Sequence, residues 1–258
     1  MKRLCDLLFE LSNEDRLRIL IELKEKPIKL SQISKILDFT VQETSRNLTR
    51  LSDAKLIRRN SDSTFSLTSY GEEALRLLSG YDFLSNNSEY LMNHSISGLP
   101  PEFTERIGEL VGCSFTNDVM TTFHFVQNMI ENAEEYLLFI TDQILTTIIP
   151  AETEAVKKGV EVRLLVPGNI SLPPGSEKVF AREEKMFEEA RVMLRPQTKI
   201  LDRVGVCLCM SEKEVAGVSF PTLDGRLDHL EFRGLDKDSH KWCKDLFEHY
   251  WEKARMSV

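Results

Sequence analysis

Two short amphipathic stretches, "LSQISKIL" (30–37) and "TVQETSRNLTRL" (40–51), meet across "DFT". A junction that short has to be a tight turn. Asp38 suits it, because Asp tolerates the left-handed backbone better than most residues. In the first stretch Ile33, Ile36 and Leu37 recur at helical spacing and are read as its inward face. The second opens as T-V-Q-E, a capping box with Thr40 at the N-cap and Glu43 three residues on. It is expected to run to about Asp53.

The flanks complete the pattern. Leu4, Leu7, Leu8 and Leu11 mark a first helix, and "SNED" offers a cap at Ser12 or Asn13 with acids in the following turn. Leu17, Ile19, Leu20, Ile21 and Leu23 then make a strongly apolar helix that Pro27 stops. After the "TVQE" helix, "LIRR" and "TFSL" alternate around the polar turn "NSDS", which predicts a short β-hairpin. "SYGEEALRLL" opens a further helix, with Ser69 and Glu72 read as a second capping box. Three helices followed by a two-stranded wing are the order of a winged helix-turn-helix, whose second turn-linked helix suits the major groove. Residues 1–80 are assigned to this domain.

At about 100° per residue, Val41, Thr44, Leu48 and Leu51 share one side of the fourth helix. The other side carries Gln42, Arg46, Thr49, Arg50 and Asp53, with Ser45 beside it. Arg forks onto guanine, Gln onto adenine, and Thr meets a thymine methyl. Arg58 and Arg59 stand at the wing base, where phosphate contacts position a protein on the duplex. The expected DNA-binding set is therefore Gln42, Ser45, Arg46, Thr49, Arg50, Arg58 and Arg59. A solvated helix face is the competing reading, and the order of the surrounding elements weighs against it. Glu43 is spoken for by the cap.

The formal net charge of the 258 residues is -8. Residues 1–80 hold 14 Lys and Arg against 12 Asp and Glu, which leaves 19 against 29 for the remainder. The acidic total therefore belongs to the second half and does not exclude DNA binding by the first, since distant charges are screened at physiological salt. No apolar run approaches the ~18 residues of a membrane span, and no signal peptide is read at the N-terminus. The odd count of five cysteines shows no zinc-type spacing, so a reduced, cytoplasmic setting is expected.

Residues 81–103 are polar and end in a Pro pair, and are read as a linker that is partly helical. From about residue 104 helical and strand patterns alternate, which predicts an α/β domain with a mixed, largely parallel sheet and hence an α+β chain overall. "FTERIGELVGCSF", "VMTTFHFVQNMIENA", "DQILTTIIPAETEAVKKG", "AREEKMFEEA" and "DSHKWCKDLFEHYWEKAR" read as helices. "EYLLFIT", "VEVRLLVPG", "RVMLRP", "VGVCLCMS", "EVAGVSFP" and "HLEFRG" read as strands. No phosphate-binding Gly-rich loop and no G-x-S-x-G elbow is present. The strand order is similar to that of the phospholipase-D-like fold, but none of His94, His124, His229, His240 and His249 stands two residues before a Lys, as that chemistry requires. Cys207 and Cys209 share a strand face and are read as small core residues rather than a metal or redox pair. Trp242, Phe247, Tyr250 and Trp251 are read as core or as a dimer face. No catalytic residue, metal ligand or cofactor is assigned. A ligand set, if there is one, is placed at the exit of a buried strand: Phe220, Asp224 and Asp228, with Arg195 and Lys199 as anion partners.

Two resemblances add to this reading. "NEDRLRILIELKEKPIKLSQISKIL", "TSRNLTRLSDAKLIRR" and "FSLTSYGEEAL", over roughly residues 3–80, resemble winged-helix regulators of the arsenic-repressor (ArsR-like) type. Metal sensors of that type use thiolates on the recognition-side helix or a His and carboxylate set on a later one. "TVQETSRNLTRL" holds neither Cys nor His, so metal sensing in that manner is not implied. "RPQTKILDRVGVCL", "EVAGVSFPTLDGRLDH" and "HKWCKDLFEHYWEKAR", within roughly 105–255, resemble the C-terminal part of archaeal regulators that join such a winged helix to a middle domain named for control of methanogenesis and filament formation. The resemblance implies a cytoplasmic archaeal regulator with an effector-sensing or assembly domain and an unidentified small-molecule effector. The expectation is a non-enzymatic, homodimeric transcription regulator that reads a pseudo-palindromic operator on double-stranded DNA. The alternative is a small-molecule-binding or enzymatic α/β domain whose winged helix serves protein association.

Overall fold

The computed structural model describes residues 1–143, 146–168, 184–194 and 197–256. The chain divides into two compact units, residues 1–81 and 82–258. The first runs α1 (Lys2–Leu11), α2 (Glu14–Glu25), β1 (Ile28–Lys29), α3 (Leu30–Leu37), α4 (Val41–Asp53), β2 (Ile57–Arg59), β3 (Thr64–Leu67) and the start of α5 (Ser69–Asn86). Local chemistry sets these bounds. The Asn13 side chain accepts from the Arg16 N–H at 3.1 Å and caps α2. Asp38 ends α3 in the left-handed region, at φ 57°. The Thr40 hydroxyl accepts from the Glu43 N–H at 3.1 Å, and the Glu43 carboxylate accepts from the Thr40 N–H at 3.0 Å. These are the turn and the reciprocal cap that the sequence predicts.

The core of this unit gathers Ile19, Leu20, Leu23, Ile33, Leu48, Leu51 and Leu56. Two expected core residues are outside it: Ile36 and Val41 are 51% and 63% exposed. On α3 the inward stripe is Ile33 and Leu37, and Ile36 falls at its edge. Val41 is the first residue of α4, ahead of the turn where Thr44, Asn47, Leu48 and Leu51 are buried. The wing has three strands rather than two, in the order β1-β3-β2. Strand β1, pairing Ile28 with Phe65 and Lys29 with Thr64, is too short to show a period. Helix α5 is capped by Thr68, not by the expected Ser69. The Thr68 hydroxyl accepts from the Gly71 N–H at 3.0 Å and donates to the Lys55 carbonyl at 2.6 Å. Gly71 is required there, because a Cβ would overlap the Leu56 carbonyl oxygen.

The second unit contains α6 (Ser88–Leu91), α7 (Pro101–Thr104), a 3-10 turn at Ile107–Leu110, β4 (Ser114–Thr116), α8 (Val119–Asn132), β5 (Tyr136–Ile140), α9 (Ile149–Lys157), β6 (Glu161–Pro167), α10 (Glu184–Leu194), β7 (Thr198–Leu201), β8 (Cys207–Ser211), β9 (Val215–Ser219), β10 (Glu231–Gly234), α11 (Lys237–Lys253) and β11 (Arg255–Met256). Among the described residues the strands form one mixed eight-stranded sheet in the order β11-β7-β6-β5-β8-β9-β10-β4. The sheet is mixed, as read from the sequence. Its parallel pairings are β5 with β6 and β6 with β7, and the others are antiparallel. The antiparallel share is thus larger than expected. Strand–helix alternation holds only across β5, β6 and β7; beyond them β8 and β9 form a hairpin and the edge strands return antiparallel.

Successive strand residues face opposite sides, and the two faces carry separate cores. Leu138, Ile140, Leu165, Leu208 and Met210 pack with Phe83, Tyr90, Trp242 and Phe247. Leu137, Phe139, Val162, Cys209 and Ala216 pack with Val126 and Met129 of α8 and Ala155 of α9. The segment read as a linker, 81–103, is corrected by this packing: Phe83, Tyr90, Leu99 and Phe103 are buried in the first of these cores. Its polar composition hid four anchors at irregular spacing. "FTERIGELVGCSF" is broken into α7, the 3-10 turn and β4 rather than one helix. The "RVML" of the expected strand "RVMLRP" is the last turn of α10; Arg195 and Pro196 lie outside the described residues, as do Ile144, Leu145 and 181–183 of the expected helices. Of the aromatic set of α11, Trp242 and Phe247 are fully buried in the first core, Tyr250 and Trp251 pack half-buried against it, and Trp242 donates its indole N–H to the Phe103 carbonyl at 3.1 Å.

An acid is buried against the second core. Glu152 on α9 is 4% exposed, and burial pushes its carboxyl up to about 7. A carboxyl raised in the fold favours the protonated state, so its contribution is complete below about pH 4.5 and is lost as pH rises through 7. Glu152→Gln is expected to flatten this dependence and to stabilise the chain at pH 8 by about 3 kcal/mol. Urea unfolding of both proteins at pH 5 and pH 8 checks this; parallel shifts at the two values would show that Glu152 does not titrate in the window.

Candidate nucleic-acid interface

Helix α4 sorts its side chains by angle. With about 100° per residue, burying Thr44, Asn47, Leu48 and Leu51 turns Gln42, Ser45, Arg46, Thr49 and Arg50 outward, and all five are exposed. Within that arc Ser45 and Thr49 lie toward the wing. Together with Lys29, Ser31, Arg59 and Ser63 they line an open groove of about 570 Å³. Thr49 donates its hydroxyl to the Ser45 carbonyl at 2.9 Å. The two wing arginines are exposed and lightly held: Arg58 donates to the Ser66 hydroxyl at 3.3 Å and Arg59 to the Ser63 hydroxyl at 3.4 Å.

Arg50 is different. It lies at the far edge of the arc and forks onto Glu10 of α1, at 2.6 and 3.2 Å, with its guanidinium 5.4 Å from the centre of the Phe9 ring. Glu10 also meets Arg16 of α2 at 2.9 Å. Arg16 is buried and donates onward to the Phe9 and Glu10 carbonyls at 2.8 and 3.0 Å, closing the C-terminal end of α1. The hydrogen bond from Arg50 holds the Glu10 carboxyl below the usual range, and the Glu10 partner raises Arg50 in return. A charge neutralised in this way is a helix clamp more than a free reader. Arg46 has no ion pair among the described residues, and its charge is felt at Glu43, whose carboxyl is lowered chiefly by the Thr40 hydroxyl. Of the expected set, Gln42, Ser45, Arg46, Thr49, Arg58 and Arg59 therefore remain open on one side of the unit.

The expected ligand set does not converge. Lys199 lies on β7, four strands from β9 in the sheet order. There it donates to the Trp251 carbonyl at 2.9 Å and sits over the Trp251 ring. Phe220 is fully buried, with its N–H on the Tyr90 hydroxyl at 2.9 Å. Asp224 accepts from the Thr222 hydroxyl on an exposed turn and pairs with Arg226. Asp228 pairs with the buried His94 at 2.9 Å. These groups brace a loop fastened to residues 93–95 through Leu223 and Pro221. Arg195 lies outside the described residues.

A polar cluster that the sequence reading did not assemble lies inside the second unit. Cys207 and Cys209 are buried, as expected, but the Cys207 Sγ is 3.8 Å from His229 Nδ1, which is in turn 3.8 Å from a carboxylate oxygen of the buried Glu231. On the other side of the ring, His229 Nε2 is 3.8 Å from Asp142. Cys207 first, and then Glu231, raise the His229 imidazole to about 10, while the Cys209 thiol and burial push the Cys207 thiol well up. The signal in the sequence is "HLE", His and Glu two apart at the start of β10, which a search for His-x-Lys passes over.

No family model and no curated protein matches the chain. Among solved structures it is similar to that of TrmBL2, described as an archaeal chromatin protein showing a novel mode of DNA binding. The likeness has 14% identity, covers 95% of this chain and 94% of that one, and has a TM-score of 0.41. A superposition that loose does not establish a shared fold.

The Glu10 clamp makes a stability prediction. Glu10→Gln leaves the buried Arg16 guanidinium with one partner fewer and is expected to destabilise the first unit by about 1–3 kcal/mol, whereas Arg46→Ala at an open site stays within about 0.5 kcal/mol of wild type. Chemical denaturation followed by circular dichroism separates the two.

Proposed function

We propose that the chain is a DNA-binding transcription regulator rather than an enzyme, and that α4 is its recognition helix. The observation that carries this is the exposed arc of Gln42, Ser45, Arg46 and Thr49 on a helix whose opposite side is buried, flanked by a wing that presents Arg58 and Arg59. A helix of 13 residues with Gln, Thr and an uncommitted Arg on one face offers the bidentate donors and the methyl that base edges recognise in the major groove. The wing arginines supply the phosphate contacts that fix register. Asp53 closes the arc at its C-terminal end, so the N-terminal half of α4 does the reading.

Two-fold reading of a pseudo-palindrome follows if the chain is a homodimer. Exposed Leu4 and Leu8 on α1, and Leu77 and Tyr81 on α5, support a self-association surface. The second unit, with its mixed sheet, is read as the controlling domain that answers to a small-molecule effector in the cytoplasm. No helix among the described residues is long and apolar enough to cross a membrane.

The test is a fluorescence anisotropy titration against genomic fragments recovered by footprinting. Arg46→Ala is expected to weaken the preferred fragment by about 1–3 kcal/mol and to relax its sequence preference. Arg58→Ala is expected to weaken all fragments alike, and the salt slope to fall by about 0.9 for each phosphate contact removed. Binding that ignores both sequence and salt would favour a winged helix used for protein association.

A further inference from the structure

We propose that Cys207, His229 and Glu231 form a binding site for a divalent cation of the zinc class in the second unit. Their donor atoms all lie within 4.8 Å of one another, and all three residues are buried. A tetrahedral ion bonded to sulfur at about 2.3 Å and to nitrogen and oxygen at about 2.0–2.2 Å spaces its donors by about 3.3–3.6 Å. The observed Sγ–Nδ1 and Nδ1–Oε1 separations of 3.8 Å need only a small contraction to reach this. The first is a weak hydrogen bond between thiol and imidazole; the second is too long for an N–H···O hydrogen bond, so the carboxylate and the imidazole face each other without bonding. Glu231 Oε2 and His229 Nε2 make no hydrogen bond among the described residues. A buried carboxylate oxygen left in that state is costly, and a metal ion is one of the few groups that relieves it.

The fold places the donors deliberately. Strand β9 lies between β8 and β10, so a side chain at the start of β10 has to cross it to reach Cys207. Gly217 lets it: a Cβ at that position would overlap the Glu231 carboxylate. His229 holds the left-handed backbone, at φ 58°, two residues before Glu231, a conformation that His, like Asn and Asp, enters more readily than most residues. With Nδ1 turned to the ion, Nε2 lies 3.8 Å from the Asp142 carboxylate, on the side of the ring from which a carboxylate orients a metal-bound imidazole once it closes to hydrogen-bond distance. One thiolate, one imidazole and one carboxylate select zinc-like ions over magnesium or calcium. Three protein donors leave the fourth corner to water. The proposal does not depend on DNA binding and is tested on the protein alone.

The full chain is stripped with a chelator and titrated with Co²⁺ and then Zn²⁺, followed by absorbance, with metal content measured after gel filtration. One equivalent of Co²⁺ is expected to give a thiolate-to-cobalt charge-transfer band that Zn²⁺ abolishes. Cys207→Ser is expected to remove the band and Cys209→Ser to retain it. Asp142→Asn, which leaves all three donors in place, is expected to weaken Zn²⁺ about 10- to 100-fold. Glu231→Gln, close to isosteric and checked for folding by circular dichroism, is expected to lose stoichiometric binding. The thermal midpoint of the wild-type chain should rise with Zn²⁺ and that of Glu231→Gln should not. Absence of a stoichiometric complex in the wild-type chain, a band that survives Cys207→Ser, or equal loss in Cys209→Ser overturns the assignment and leaves a buried ion pair only.

Discussion

The carboxylate of Glu10 holds three helices of the first unit in register. It takes a fork from Arg50 of α4 and a contact from Arg16 of α2, while Arg16 ties off the carbonyls at the end of α1. Removing two charges partly from water is costly, and the geometry repays it only when the partners are well aligned. The bidentate fork supplies that alignment. Its consequence reaches the surface. Because Arg50 is spent on architecture, the open face of α4 narrows to Gln42, Ser45, Arg46 and Thr49, and Arg46 is the cation of that helix face with no ion pair among the described residues.

Much of the first unit was legible because local rules and global packing agree there. Thr40 with Glu43, Asn13 and Asp38 each announce a helix end through chemistry that operates over three or four residues, and the structure places each end as read. The face of α4 was legible for the same reason, since a helix that buries Leu48 and Leu51 has its opposite arc decided. The role of Arg50 was not, because its partner is 40 residues away in sequence and no periodicity links them. Strand β1 escaped for lack of length, and the cap at Thr68 escaped because its neighbour Ser69 offers the same chemistry one position later.

In the second unit β5, β6, β8, β9 and β10 were legible as strands, but β4, β7 and β11 were not, and neither was the order of the sheet. Alternation of strand and helix led to a largely parallel sheet; the antiparallel pairings arise where β8 turns directly into β9 and where β4 and β11 return to the edges. The stretch before the sheet was mistaken for a linker because its apolar residues obey neither helical nor strand spacing, yet Tyr90 reaches across to hold both backbone groups of Phe220. Cys207, His229 and Glu231 come together across a strand, and the expected ligand set falls apart for the converse reason: Lys199 is on β7, whereas Asp224 is on a turn beyond β9, four strands away in the sheet order.

The bare position at Gly217 has a historical consequence. With the carboxylate of Glu231 occupying the space of a side chain, a side chain at 217 is admitted only once the acid at 231 has moved or shortened. Substitution in this pair is therefore ordered, with 231 changing before 217. The middle of β9 inherits its freedom from the start of β10.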